Sequence, residues 1–170
     1  MLNIYKFHSN PDELIGYTDR NFYFGDEAKE LILQGKEVTK VIGTLYLDGT
    51  AITALPDNLT VQGALYLSDT PITALPDNLT VHGTLYLNDT AITALPDNLT
   101  VHEDLNLMRT PITALPDNLT VQGALYLSGT AITALPDNLK VSGNLWINST
   151  PNLDTNNLPS SLLVNGEIYK

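Results

Sequence analysis

Val61–Thr80 reads VQGALYLSDTPITALPDNLT, and Val81–Thr100 reads VHGTLYLNDTAITALPDNLT. The two stretches align residue for residue, twenty positions apart. Pro56, Pro76, Pro96, Pro116 and Pro136 keep the same step, so five consecutive units share one frame. Within a unit, Leu65-Tyr66-Leu67 alternates apolar, outward and apolar residues, the period of a half-buried strand. Ile72, Leu75 and Leu79 follow, and Val81 opens the next unit. A single unit points six aliphatic side chains inward. Their burial alone does not offset the entropy of ordering twenty residues. Stacked units share a core and pair their strands, so the array folds together and needs ends that are capped.

The frame L-x-L-x-x-T-x-I-x-x-L-P resembles the leucine-rich repeat, with Thr where that repeat carries Asn. The LPDNL segment is most similar to the short 20-residue bacterial type found in enteric-pathogen effectors and phage-borne proteins. The resemblance covers Val41 to the end of the chain. It implies a β-rich right-handed solenoid arc, with parallel strands on a concave face and an extended or turn-rich convex side. It leaves the function open, because solenoids of one kind bind many partners.

Working outward, residues 41–163 divide into six repeats. The sixth is stretched: LPSSL begins at Leu158, later than the period requires, and an insertion at Asn152–Asn157 accounts for it. Val164–Lys170 repeats the V-x-G-x-L-Y frame and is expected to form a terminal capping strand. With strands about 4.8 Å apart, the arc is roughly 30 Å long. Residues 1–40 fall outside the pattern and are expected to form a small α-containing cap. Leu2, Ile4 and Phe7 suggest a short strand, and Asn10-Pro11 a helix start. A second helix is expected over Asp26–Gln34, capped near Asp26 and ended by Gly35, with Ala28, Leu31 and Ile32 over the first repeat. Tyr17, Phe22, Tyr23 and Phe24 read as cap core. The whole is one domain.

Composition narrows the function classes. The chain has 170 residues, a net charge of −11 and no cysteine. Thiol catalysis and disulfides are excluded, and so is the cysteine-dependent ligase activity of some effectors with similar repeats. Strong acidity argues against direct nucleic-acid binding and favours a partner protein with a basic or mixed surface. No stretch is apolar for long enough to span a membrane. No signal-peptide pattern opens the chain. Asn58, Asn78, Asn98 and Asn118 each start an Asn-Leu-Thr sequon. Glycans at that spacing would collide, which favours a cytoplasmic location in a bacterial or phage-infected cell.

Four columns of side chains are candidates for function. The outward mid-strand column holds Tyr46, Tyr66, Tyr86, Asn106, Tyr126 and Trp146. Tyr and Trp are rigid amphipathic anchors, but stacked rings also stabilise neighbouring strands. The second feature is a break in the frame at unit four, Val101-His102-Glu103-Asp104-Leu105-Asn106-Leu107-Met108-Arg109-Thr110. His102, Glu103, Asp104, Met108 and Arg109 join the outward column as candidate partner-binding residues. Arg109 is one of three basic residues from Val41 onward. The third column, Asp57, Asp77, Asp97, Asp117 and Asp137, reads as a solvated ridge. The fourth pairs Thr70, Thr90, Thr110 and Thr130, expected to bond the turn backbone, with Thr73, Thr93, Thr113 and Thr133.

No phosphate loop, dinucleotide fingerprint or nucleophile elbow is present, and no cofactor is expected. His82 and His102 fall on adjacent turns near Glu103 and Asp104, a weak metal motif outweighed by ordinary surface polarity. The sequence therefore points to a non-enzymatic protein-interaction module, and the resemblance implies a phage or bacterial effector-like inhibitor of a host factor. A self-associating scaffold paired through the C-terminal edge strand is the first alternative. An acidic nucleic-acid mimic is the second.

Overall fold

A computed structural model describes residues 22–170. The expected strand at Leu2–Phe7, the helix start at Asn10 and Tyr17 lie outside these residues. The described residues form a parallel β-solenoid of about seven turns with one short helix near their N-terminal end. In chain order the elements are β1 (Tyr23–Phe24), α1 (Gly25–Leu33), β2 (Lys40–Ile42), β3 (Leu45–Tyr46), β4 (Thr60–Val61), β5 (Leu65–Tyr66), β6 (Thr80–Val81) and β7 (Leu85–Tyr86). They continue as β8 (Thr100–Val101), β9 (Leu105–Asn106), β10 (Thr120–Val121), β11 (Leu125–Tyr126), β12 (Lys140–Val141), β13 (Leu145–Trp146), β14 (Leu163–Val164) and β15 (Ile168–Tyr169). No helix among the described residues is long and apolar enough to cross a membrane.

Each turn supplies two strands rather than the single one expected. β1, β2, β4, β6, β8, β10, β12 and β14 form one sheet in that order, and β3, β5, β7, β9, β11, β13 and β15 form the other. A Gly lies between the two strands of every turn except the one where Glu103 stands. A Cβ on Gly63, Gly83 or Gly143 would lie 2.7 Å from the backbone of the preceding turn. Glycine allows that close approach without a side-chain clash. Backbone bonds climb this column, for example Gly63 N–H to Gly43 O at 2.9 Å and Gly143 N–H to Gly123 O at 2.8 Å.

The core is one continuous stack of aliphatic rows. Val61, Leu65, Leu67, Ile72 and Leu79 are fully buried, and each repeats one turn on. The Thr column closes each turn from inside. Thr70, Thr90, Thr110 and Thr130 are buried, and each Oγ1 donates at 2.7 Å to the carbonyl three residues back. The bond is local to the turn, as the Asn-like position of these residues implied. Thr73, Thr93, Thr113 and Thr133 differ in environment. The first three are exposed, and Thr133 is exposed but hydrogen-bonded through its N–H to Thr113 O at 3.2 Å.

A second conformational requirement runs beside it. Gly49, Asp69, Asp89, Arg109, Gly129 and Ser149 occupy equivalent positions, and all have left-handed backbones with φ between 56° and 74°. Gly and Asp suit that region. Arg109 and Ser149 occupy it at a steric cost.

The N-terminal end is capped nearly as the sequence implied. α1 packs on β3 and buries Ala28 and Ile32, with Leu31 against the same core. Its N-cap is Phe24, without a side-chain bond, rather than a residue near Asp26. Gly25 sits so close to Thr44 O that a Cβ would reach 2.0 Å, so docking decides where the helix starts. Gly35 ends it at φ 71°, with Gly35 N–H to Ile32 O and Lys36 N–H to Leu31 O, the Schellman pattern. Tyr23 packs on the core, but Phe22 and Phe24 are about half exposed and pair edge to face at 6.3 Å. These two phenylalanines are therefore not cap core, because strand alternation turns them away from it.

At the other end the register carries the insertion. Lys140 pairs with Leu163, and Leu145 with Ile168, where the pairings from β2 to β13 are twenty residues apart. The last turn begins at Leu163 rather than Val164 and contributes two strands. Lys170 Nζ donates to Thr155 O at 2.5 Å and ties the inserted loop to the terminal turn.

Candidate functional site

The outward residue of each strand in the second sheet falls in one register, Tyr46↔Tyr66, Tyr66↔Tyr86, Tyr86↔Asn106, Asn106↔Tyr126 and Tyr126↔Trp146. Parallel in-register pairing therefore builds the aromatic column that the repeat implied. The rings stack face to face. Tyr46 and Tyr66 are 4.8 Å apart between centroids, Tyr66 and Tyr86 4.4 Å, and Tyr126 and Trp146 5.9 Å. Tyr169, which sequence reasoning did not select, completes the second group at 3.8 Å from Trp146. The signal was available, since Ile168-Tyr169 repeats the Leu-Tyr pair of the frame. The rings support one another; Tyr46 is exposed, and Tyr66, Tyr86, Tyr126 and Trp146 are half-buried.

Asn106 divides the column into two groups of three. Its Oδ1 accepts from Met108 N–H at 3.0 Å, a local turn that draws the amide along the strand. Burial raises the Tyr66 hydroxyl above its ordinary value, with the neighbouring Tyr86 hydroxyl and the Asp48 carboxylate adding to it. Burial, followed by the Asp104 charge, raises Tyr126.

The remaining unit-four residues have defined partners. Asp104 Oδ1 accepts from Ala124 N–H of the next turn at 2.7 Å. Asn144 makes the equivalent bond to Glu167 N–H at 2.9 Å. Glu103 stands in the glycine column. The climbing backbone bond is not made from Glu103 N–H, and Thr84 Oγ1 instead donates to Glu103 Oε2 at 3.3 Å. Met108 breaks a second outward row in which Ser68 bonds Asn88 at 2.7 Å and Ser128 bonds Asn148 at 2.6 Å.

Arg109 turns back across one turn. Its Nε donates to Asp89 Oδ1 at 2.6 Å and a terminal nitrogen to Asp89 Oδ2 at 2.5 Å. Hydrogen bonds from Arg109, followed by one from Asn88, hold the Asp89 carboxyl down at about 2. Asp89 also escaped selection, although the period places it one turn before Arg109.

His102 stacks on His82 at 4.6 Å with ring planes 5° apart. The in-plane lone pairs of parallel rings run side by side instead of converging on one ion. Among the described residues no group of three or more His, Asp or Glu side chains is placed to hold a metal. The acidic column Asp57–Asp137 is exposed throughout, a solvated ridge. Two shallow clefts flank the inserted loop near the C-terminal end, lined by residues such as Ile147, Leu153 and Lys170 in one and Leu135, Leu153 and Leu158 in the other. Neither gathers titratable groups suited to catalysis.

Fold and site together define a parallel β-solenoid with an interrupted aromatic column on one outward face. Neither the protein-family models nor the curated proteins give a match to this chain.

Proposed function

We propose that this chain is a non-enzymatic protein-interaction module that engages a partner protein through the aromatic face. We read its solenoid as a leucine-rich repeat array of the short bacterial type, on the LPDNL segments and the L-x-L-x-x-T frame. The observation that carries the functional reading is the change of character at the middle of the column. Six stacked rings form a preorganised surface, and at its centre Asn106, Met108 and Arg109 depart from every other turn. Rigid aromatic groups with polar residues between them suit recognition at low entropic cost. A net charge of −11 favours a partner with a basic or mixed surface. Steric masking of a host factor in a bacterial or phage-infected cell is the form of action that agrees with the repeat type.

The test is capture of partners from lysate of the source cell, run beside a Tyr66→Ala/Tyr86→Ala/Tyr126→Ala variant shown to be folded by circular dichroism. A partner held by the wild type and lost by the variant is the expected outcome. Retention by the variant would move the site to the acidic ridge, the surface a nucleic-acid mimic would use, or to the N-terminal cap.

A second reading is favoured by a separate observation. Among the described residues β14 and β15 have no strand on their outer sides, and Leu163 and Ile168 there are 51% and 38% exposed. Open edges with apolar side chains pair readily with another copy. Sedimentation velocity across a concentration series separates the readings, since a scaffold grows with concentration and a monomeric binder does not.

A further inference from the structure

A ring inside a stack has both faces covered. Tyr66 lies between Tyr46 and Tyr86, and Trp146 lies between Tyr126 and Tyr169. Such a column offers solvent little but ring edges. At Asn106 the column is interrupted, and Tyr86 and Tyr126 each have a ring neighbour on one side only. Two strand steps of about 4.8 Å separate these two residues. Tyr46 and Tyr86 are the same two steps apart and hold a third ring between them. The gap over Asn106 is therefore one planar group wide. The Asn106 amide does not fill it, because its oxygen is bonded to Met108 N–H in the floor.

The electrostatics of the gap are one-sided. Asp104 stands two residues before Asn106, on the same face of the strand. Its Oδ1 is committed to Ala124 N–H, while Oδ2 makes no hydrogen bond. Glu103 is exposed beside it. The nearby cation, Arg109, is held by both oxygens of Asp89. Two ring faces, each with negative quadrupole density, thus flank a place with an available carboxylate oxygen.

We propose that the gap between Tyr86 and Tyr126 receives the guanidinium of an arginine side chain on the partner protein. A guanidinium is planar, stacks on ring faces and carries five donors, so it meets the two walls and Asp104 Oδ2 at once. An ammonium lacks the planar shape, and a neutral ring leaves the carboxylate unanswered. This inference rests on the reading of the aromatic face as a protein-binding surface.

The experiment is a proton NMR titration of the full chain with acetyl-Gly-Arg-Gly-amide and with its citrulline and lysine counterparts. The arginine δ-methylene protons are expected to move upfield and saturate, as protons between two rings do. Citrulline, planar but neutral, and lysine, charged but not planar, are each expected to bind about tenfold more weakly or less well still. Asn106→Tyr continues the column with the residue that five other turns carry there, and it should abolish the shift. Asp104→Asn keeps an acceptor for Ala124 N–H, as Asn144 does for Glu167, and should weaken binding about tenfold. Absence of a saturable shift, equal binding of citrulline or lysine, or undiminished binding to folded Asn106→Tyr would each overturn the proposal. The broader reading fails on a different result, capture of the partner by the triple-alanine variant.

Discussion

Arg109 and Asp89 meet in a two-bond ion pair across one turn of the solenoid, Nε to Oδ1 at 2.6 Å, while the Arg109 backbone sits in the left-handed region at φ 56°. Gly49 and Gly129 hold the equivalent position elsewhere without steric cost. Arg109→Gly is therefore expected to keep or raise the thermal midpoint. Arg109→Val, β-branched and without the pair, is expected to lower it. Thermal unfolding followed by circular dichroism checks both.

The same pair sets an acid-range titration. Asp89 is depressed to about 2 by the Arg109 bonds first and the Asn88 bond second. A depressed carboxyl contributes stability above its unfolded value of about 3.9 and loses that contribution as pH falls through the folded value. The difference in stability between the wild type and Arg109→Gln should be constant above about pH 5 and shrink towards pH 2. It is small, because Arg109 is 57% exposed and screened by solvent. Carbon-13 NMR of the Asp89 carboxyl should show its midpoint rising towards the ordinary value in the variant.

At alkaline pH the aromatic column is the titrating element. Tyr66 and Tyr126 are raised chiefly by burial, and Tyr169 chiefly by its hydrogen bond to Glu167. A raised acid favours the fold while it is neutral. Its contribution is complete below the unfolded value of about 10 and is lost as pH rises through the folded one. Absorbance at about 295 nm should therefore show a delayed tyrosinate fraction. Tyr66→Phe, Tyr126→Phe and Tyr169→Phe together should remove it.

The glycine column gives a paired test of packing. Gly83→Ala puts a Cβ 2.7 Å from the backbone of the turn before and should destabilise by about 1–3 kcal/mol. Glu103→Gly, in the same column, should stabilise by about 1 kcal/mol by restoring the backbone bond that Glu103 N–H does not make. Urea unfolding measures both. A loss of stability in Glu103→Gly would mean that the Thr84 bond outweighs the restored contact.

The Thr column tests the internal bond. Thr110→Val preserves shape and removes the 2.7 Å bond to Leu107 O. That carbonyl still accepts from Thr110 N–H at 3.2 Å, so the expected cost is about 0.5–1.5 kcal/mol. The same substitution at the exposed Thr113 should change little.

The sequence by itself determined the period, the inward rows Leu65, Leu67, Ile72, Leu75, Leu79 and Val81, the outward aromatic column and the insertion before Leu158. Each follows from alternation and exact spacing, which are properties of the chain in one dimension. Tertiary structure decided the rest. The division of each turn into two strands and the backbone approach at Gly63 and its equivalents are set between turns. Glu103 is legible as a break in the frame, but the backbone rung that its N–H does not make appears only between stacked turns. Arg109 could be singled out as an odd residue, but its partner Asp89 and its left-handed backbone appear only when the turns are stacked. Phe22 and Phe24 read as core from their hydrophobicity, yet Tyr23 takes the place against the core and strand alternation turns them outward. The gap between Tyr86 and Tyr126 exists because parallel in-register pairing sets two ring faces two strands apart, a distance that only the assembled solenoid defines.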